Sequence, residues 1–269
     1  MANSINTNVG ALIALQSLNA TSRELDTVQN RVNTGLKVSS AKDNGAIYAI
    51  ASGLRAEQGA LNSVKNSIQR GQSVIDVALA SGDIITKALE EQKGLAVAIQ
   101  SSVAGSAAET AYLADFNALG TEITAALAGA TFDGINLFSA GSATNNLIVQ
   151  TGTSTTYTVH GVAGTATSVA TATGAILRAG ATAAAVTTAA TTFAAKLGTL
   201  GSNSQSLDRQ LTFTNKIQDA LEAGVGNLVD ADLAKESARL TALQTKQQLG
   251  VQALSIANQS SSILLGLFR

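Results

Sequence analysis

The chain has 269 residues with a formal net charge of -1; 45% are hydrophobic, 13% are charged, and there is no cysteine, proline or tryptophan. The near-neutral balance argues against a nucleic-acid partner, which usually requires a basic face, and no apolar run of about 18 residues predicts a span across a membrane. Aromatic residues make up only 3% of the chain, so the core must be built from aliphatic side chains, which suit closely packed helices.

The first predicted element is an amphipathic helix within residues 3–34. Ala11, Leu15, Leu18, Leu25 and Val32 recur at three-to-four spacing and mark one helical face. Further apolar residues widen this face beyond a single seam: Ile5, Val9, Leu12 and Ile13.

Residues 33–45 read NTGLKVSSAKDNG and predict a turn between two helices. Gly35 suits the left-handed conformation that commonly ends a helix. Ser40 is expected to cap the helix that follows. Lys42 is expected to pair with Asp43, although a surface ion pair contributes little.

The most regular part of the sequence runs from Ile47 to Ile99. Its apolar seam alternates three- and four-residue steps and predicts a helix roughly 80 Å long at 1.5 Å per residue. A rod of this length cannot bury its seam against itself and needs helical partners. The helix is expected to break at residues 101–105.

A third helix is predicted after this break. Ser106 and Glu109 have the spacing of a capping box, and one apolar face follows from Leu113 to Leu127. This helix is expected to end before the turn-rich segment TFDGINLF at residues 131–138.

Strand composition appears only in the middle of the chain. Residues 146–150 and 155–160 are rich in β-branched residues, and Gly152, Thr153 and Ser154 join them, so we expect one β-hairpin near 146–160. It lies in a Ser/Thr-rich stretch at residues 139–182, and residues 161–182 are of low complexity with no predicted structure.

Helical spacing returns from Phe193 to Leu228 and again from Leu233 to Phe268, on either side of Asp230 and Asp232. Those two carboxylates offer too few oxygen ligands for a cation and fit a solvated helix start better. His160 is the only histidine; with no cysteine, zinc and Cys–His catalytic sites are excluded.

Ordered motifs at both ends of the chain resemble the bacterial flagellins, the subunits of the flagellar filament. They are INTN at 5–8, RVNTGLKVSSAKD at 31–43, GINLF at 134–138, DADLAKE at 230–236 and ANQ at 257–259. The resemblance covers about residues 3–138 and 193–269. The middle is too short for large outer domains, so the chain is most similar to the compact flagellins of alphaproteobacteria.

The resemblance implies a mainly α fold of long antiparallel, coiled-coil-like helical rods with one β-hairpin. Terminal helices at 1–35 and 233–269 would form an inner tube, and residues 36–232 a rod domain around it. The turn would be the spoke between these layers, through Gly35, Ser40, Lys42 and Asp43. The expected inner-tube residues are Ile5, Val9, Leu12, Leu15, Leu18, Leu25, Leu240, Val251, Leu254, Leu264, Leu265 and Phe268.

The implied function is structural: self-assembly into the helical filament for swimming motility, without catalysis, cofactor or metal. The implied partners are further copies of the chain, the junction and cap proteins of the flagellum, and an export chaperone. The expected location is the extracellular flagellum, because the resemblance implies export through the flagellar type III apparatus without a cleaved signal peptide. The N-terminus fits this, since it lacks the basic region and cleavage site of a secretory signal.

Several alternatives remain open. The nearest is the hook–filament junction protein of the flagellum; others are an enzyme carried on a flagellin frame and a secreted coiled-coil binder that does not self-assemble. The charged run Glu90, Glu91 and Lys93 is either a solvated face or an inter-subunit contact. The Ser/Thr-rich stretch is either an unmodified loop or an acceptor of O-linked sugars, at Thr151, Thr153, Ser154, Thr155, Thr156, Thr165, Thr167 and Ser168.

Overall fold

The computed structural model describes residues 8–139, 146–162 and 176–266, with side chains up to residue 259. The chain divides into two compact units. We call Met1–Ala56 with Ala220–Arg269 the terminal unit, and Glu57–Asp219 the central unit. The mainly α fold class is confirmed, whereas the predicted division into tube and rod at residues 35 and 233 stays a prediction.

The terminal unit contains helices α1 (Val9–Thr34) and α5 (Leu233–Gly266), together with the first residues of α2 and the last of α4. Helix α1 begins at Val9, because the Asn8 side chain accepts a hydrogen bond from the Ala11 N–H and caps the first turn. Residues 3–7 lie outside the described part of the chain.

Two small cores hold the terminal unit. Between α1 and α5, Leu25, Val28 and Leu243 are buried. Around the turn after α1, a second core joins Val38 and Ala51 to residues at the end of α4, Val225 and Val229. Both cores are aliphatic, as the scarcity of aromatic residues requires.

The central unit is built on the predicted seam of α2 (Gly45–Ser101), whose bounds confirm the expected helix. From Leu61 onwards most seam residues are buried, and Ile68, Ile75, Ile85 and Ile99 are completely so. They pack in one core with α3 (Ala107–Gly129), the hairpin and α4 (Ala183–Val229), through Phe116, Ile123, Leu147, Val149, Phe193, Leu200 and Leu207.

The predicted capping box at the start of α3 is half confirmed. Ser106 Oγ accepts from the Glu109 N–H at 3.2 Å, as expected. The Glu109 carboxylate, however, accepts from the Gly105 N–H one residue earlier, and its other oxygen pairs with Arg178 at 3.1 Å. Arg178 also donates to the carbonyls of Gln100 and Ser102. It therefore satisfies acceptors that the end of α2 leaves without helical partners.

The predicted hairpin is confirmed as strands β3 (Leu147–Gln150) and β4 (Thr156–Val159), with Leu147 opposite Val159. The expectation of only one hairpin was wrong. A second, very short one pairs β1 (Thr131–Phe132) with β2 (Ile135–Asn136). Asp133 and Gly134 between them have φ of 52° and 76°, which is the backbone of a type I′ turn.

Helix α4 begins ten residues before the expected start at Phe193. Residues 183–192 read AAAVTTAATT, in which Val186 is the one larger apolar residue among alanine and threonine and is too little to mark a period. The start is fixed instead by Thr182, whose Oγ1 accepts from the Ala185 N–H at 3.2 Å.

Candidate assembly surface

Helices α1 and α5 of the terminal unit pack antiparallel. Asn8 Nδ2 donates to the Ala257 carbonyl at 2.7 Å near one end, and Arg31 pairs with Glu236 at 3.2 Å nearer the other. Between these points, Leu18 approaches Gly250. Each helix therefore covers one face of the other, and neither covers the opposite face of its partner.

The outward face of the first turns of α1 is apolar and exposed. Val9 is 58%, Leu12 59% and Ile13 62% exposed. Leu25 and Val28 mark the side of α1 that faces α5. Helical periodicity places Leu12 opposite this side and Ile13 on its flank. From Gln16 onwards the outward positions become polar.

The part of α5 beside the N-terminal turns of α1 also has exposed apolar residues. Leu249 is 59%, Val251 54% and Ile256 68% exposed. The antiparallel pairing brings this part of α5 beside the N-terminal turns of α1, because Ala257 contacts Asn8. The two apolar faces thus belong to the same end of the helix pair, and we call them together the apolar end of the terminal unit.

An apolar surface of this kind requires an explanation. Single exposed leucines are ordinary, but clustered exposed apolar side chains usually mark a contact with another molecule. The hydrophobic effect favours removal of this area from water, at roughly 25 cal/mol per Å² of apolar surface. The apolar end is therefore a candidate for self-association or partner binding.

The predicted inner-tube residues fall into three groups. Val9, Leu12, Leu15 and Val251 are exposed, Leu18, Leu240 and Leu254 are partly buried, and Leu25 is buried between α1 and α5. Ile5 and Phe268 lie outside the described residues, as do the side chains of Leu264 and Leu265. Inner-tube membership itself stays a prediction.

Sequence reasoning left three exposed residues out of this set: Ile13, Leu249 and Ile256. Leu249 and Ile256 are seven residues apart, so they share one face of α5. A search for a second apolar face, besides the one that packs against the partner helix, would have found them.

At the turn of residues 33–45, helix α1 ends as predicted, but a different residue from the predicted one caps helix α2. Gly35 has φ 71° and its N–H donates to the Arg31 carbonyl at 2.9 Å, which confirms the left-handed helix end. The cap of α2, however, is not Ser40. Asn44 Oδ1 accepts from the Ile47 N–H at 3.1 Å, since the amide of Asn44 lies directly before the first helical residue.

Asp43 holds the turn together rather than pairing with Lys42. One carboxylate oxygen accepts from the N–H and Oγ of both Ser39 and Ser40, at 2.9–3.2 Å. The backbone bond from Ser40, followed by the bonds from Ser39, lowers the pKa of Asp43. In the part of the chain that the structure describes, Lys42 and Asp43 form no ion pair, so that prediction was wrong.

The same turn is attached to the connection between α4 and α5. The Lys37 N–H donates to the Val229 carbonyl at 2.6 Å, and the Ala231 N–H to the Gly35 carbonyl at 2.9 Å. Asp232 then caps α5, because its Oδ1 accepts from the Lys235 N–H. Two segments far apart in sequence therefore fix each other within the terminal unit.

The hydroxyl groups proposed as sugar acceptors lie at the tip of the β3–β4 hairpin. Thr153, Ser154, Thr155 and Thr156 are exposed, whereas Thr151 is partly buried and donates to the Thr155 carbonyl at 3.4 Å. Thr165, Thr167 and Ser168 lie outside the described residues. Among residues 8–139, 146–162 and 176–266, no helix has the length and apolarity needed to cross a membrane.

Comparison with known proteins finds family models that match the two ends of the chain and relatives that match nearly its whole length. The family model for the bacterial flagellin N-terminal helical region matches residues 5–143, and that for the C-terminal helical region matches residues 183–268. Flagellin FljM and flagellin FljK of Caulobacter vibrioides are 52% and 51% identical, each alignment covering 99% of both chains. A flagellin of Brucella melitensis is 35% identical, again over 99% of both chains.

Proposed function

The chain belongs to the bacterial flagellin family, as its terminal motifs predicted, and we propose that it self-assembles into the helical flagellar filament and serves swimming motility. Flagellins are structural proteins rather than enzymes, and we extend this to the chain by proposing that it has no catalytic activity. The observation that carries the proposal is the apolar end of the terminal unit.

The physical argument for a filament starts from the geometry of that surface. The exposed residues of α1 differ from those of α5. The α1 surface of one copy can therefore bind the α5 surface of another without a two-fold axis between them. Contacts between unlike surfaces propagate as a helix when the rotation does not close into a ring. Burial of Leu12, Ile13 and Ile256 in such contacts would supply the hydrophobic driving force.

The other partners belong to the same proposal. We expect the filament to meet the junction and cap proteins of the flagellum at its ends, and the chain to be held by an export chaperone before assembly. Its place would be the extracellular flagellum, reached without a cleaved signal peptide. A role as hook–filament junction protein is the alternative, and it differs from the main proposal in that growth would stop at a ring.

Seeded growth tests the proposal directly. Purified chain is added to short, sheared filaments from the native source, and their length is followed by negative-stain electron microscopy. We expect long smooth extensions. Unchanged seed length in the presence of soluble chain would overturn the filament proposal in favour of the junction protein or a non-assembling binder.

A pair of variants connects growth to the apolar end. Leu12→Gln combined with Ile13→Gln makes two exposed positions of α1 polar, neither of them buried against α5, and should abolish elongation. Leu177→Gln changes an apolar residue of the central unit that is exposed still further, at 74%. This control should elongate like the unmodified chain.

We also propose that the exposed hydroxyls at the hairpin tip accept O-linked sugars. Thr153, Ser154, Thr155 and Thr156 are accessible and lie on a tight turn away from the core. The intact mass of the protein from its native source tests this. A mass above that of the bare chain, lost when these four residues become alanine, supports modification; a mass equal to the bare chain excludes it.

A further inference from the structure

A groove of about 620 Å³ runs between α2 and α3 in the central unit. Leu95 and Leu119 line its floor and are partly buried against the core. Glu91, Asp115 and Glu122 stand on its rim and are exposed. The groove therefore combines an apolar base with three carboxylates above it.

These carboxylates have no cationic partner within the part of the chain that the structure describes. Its four ion pairs use Glu24, Glu109, Asp133 and Glu236 as their acids, and none of them lies in the groove. A long cationic side chain suits the site, because its stem can cover leucine while its head stays among carboxylates.

The chain carries a complementary surface on α4. Arg209, Phe213 and Lys216 follow one another at helical spacing, which places them on one face. The buried Leu207 and Thr214 mark the opposite side of α4. Phe213 is 56% exposed, and neither Arg209 nor Lys216 forms an ion pair among the described residues. We call these three residues the cationic stripe.

We propose that the groove between α2 and α3 of one copy of this chain receives the cationic stripe of a second copy. Phe213 would cover Leu95 and Leu119, and Arg209 and Lys216 would meet the carboxylates on the rim. The inference rests on the proposed self-assembly and adds to it a second contact, in the central unit, that determines which copies fit together.

The arrangement favours continued growth over a closed pair. Groove and stripe are different surfaces, so a copy that offers its stripe to one neighbour keeps its own groove free for another. Such a contact is heterologous and can propagate. Charge complementarity also penalises wrong registers, since like charges brought together repel one another.

Charge reversal tests the contact in seeded growth. Glu91→Lys with Glu122→Lys reverses the groove, and Arg209→Glu with Lys216→Glu reverses the stripe. Each double variant should slow elongation by roughly tenfold or more because like charges then oppose one another. The chain that carries all four changes should recover most of the lost rate. Asp76→Lys with Asp83→Lys is the control, because it makes the same change of charge at exposed α2 residues outside the groove.

The outcomes separate this inference from the proposed function. If the unmodified chain elongates and both reversals elongate at the same rate, or if the fourfold variant fails to recover, the groove contact is wrong and the filament proposal stands. Circular dichroism of each monomer verifies that the variants keep their helices, so a loss of rate cannot come from unfolding.

A second measurement does not depend on seeds. The chain has no cysteine, so chains with Leu119→Cys and chains with Phe213→Cys can be mixed and mildly oxidised. We expect a mixed disulfide dimer that forms faster than the dimer of either variant alone. A mixed dimer no more frequent than that between Leu119→Cys and a control Val103→Cys chain would overturn the inference, whether or not seeds grow.

Discussion

At the scale of single residues, short polar side chains decide where the helices begin and end. Asn8, Asn44, Ser106, Thr182 and Asp232 each accept a backbone N–H at a helix start. The first N–H groups of a helix have no partner within it, so one oxygen in the right place fixes the boundary. The sequence offers several candidates at each boundary, and only the structure distinguishes among them.

Exchange of Asn44 tests the observed cap of α2 against the predicted one. Asn44→Ala removes the acceptor for the Ile47 N–H and should lower the free energy of unfolding by about 1 kcal/mol. Ser40→Ala removes only the hydrogen bond from the Ser40 hydroxyl to Asp43 and should lower the free energy of unfolding by less. Denaturant unfolding followed by circular dichroism measures both; a larger loss for Ser40→Ala would contradict the assigned cap.

Glu109 gives the chain an acid-sensitive contact. The bond from the Gly105 N–H, followed by the bond from Arg178, lowers the pKa of Glu109 below its ordinary value. A group whose pKa is lowered by folding stabilises the fold above its unfolded pKa. This contribution is lost as the pH falls below about 4.3 and through the folded value.

We therefore expect Glu109→Gln to lower the Tm at neutral pH and to flatten the fall of Tm in acid. The amide cannot form an ion pair with Arg178, so acidification removes less stability from this variant than from the unmodified chain. Thermal melts between pH 7 and pH 3 measure the effect, with Glu90→Gln as an exposed control that should leave the neutral-pH Tm unchanged. Parallel acid profiles for the unmodified chain and Glu109→Gln would refute the assignment.

At the scale of elements, the close approach of the β3–β4 hairpin to α2 depends on Gly71. A Cβ added there would lie 2.5 Å from Val149 Cγ2. Val149 is fully buried, and a β-branched side chain has few rotamers to escape into. Gly71 is thus required by packing, although it stands in a helix where glycine is otherwise unfavourable.

Two substitutions on the same helix should have opposite effects. Gly71→Ala should destabilise the protein by about 1–3 kcal/mol, because the added methyl overfills the core. Gly59→Ala should stabilise it by about 0.5–1 kcal/mol, because no atom lies within 4 Å of the added methyl and alanine favours the helix. Denaturant unfolding measures both. If both substitutions changed the free energy of unfolding in the same direction, the packing described at Gly71 would be contradicted.

Much of the element order could be predicted from the sequence, for identifiable reasons. The seam from Ile47 to Ile99 and the strands near 146–160 follow clear periods, and both were confirmed. The start of α4 was missed because Val186 stands alone among alanine and threonine, and one apolar residue marks no period. The β1–β2 hairpin was missed because its strands have only two residues each.

The candidate site was harder to predict than the fold. Apolar residues surround the first turns of α1, and hydrophobicity alone cannot tell the face that packs against α5 from the face left exposed. Leu25 and Leu12 therefore entered the same predicted set, although one is 8% and the other 59% exposed. Only the pairing of α1 with α5 separates them.

At the scale of the whole molecule, each of the two units has a surface that a further copy of the chain could cover. The terminal unit leaves its apolar end uncovered, and the central unit leaves a carboxylate-rimmed groove without a cation. Both are explained if further copies of the same chain supply what is missing. The central claim is that the outward face of α1 is exposed in the monomer and buried in the filament.

Thiol protection tests that claim most directly, since the natural chain has no cysteine to interfere. Leu12→Cys places one thiol on the outward face of α1, and Leu177→Cys places one on an exposed segment of the central unit as a control. Each variant is treated with a maleimide as monomer and after elongation onto seeds, and the labelling rates are compared. We predict that Leu12→Cys reacts readily in the monomer and at least tenfold more slowly in filaments, whereas Leu177→Cys shows no such protection. Equal labelling of Leu12→Cys in monomer and filament would contradict the account.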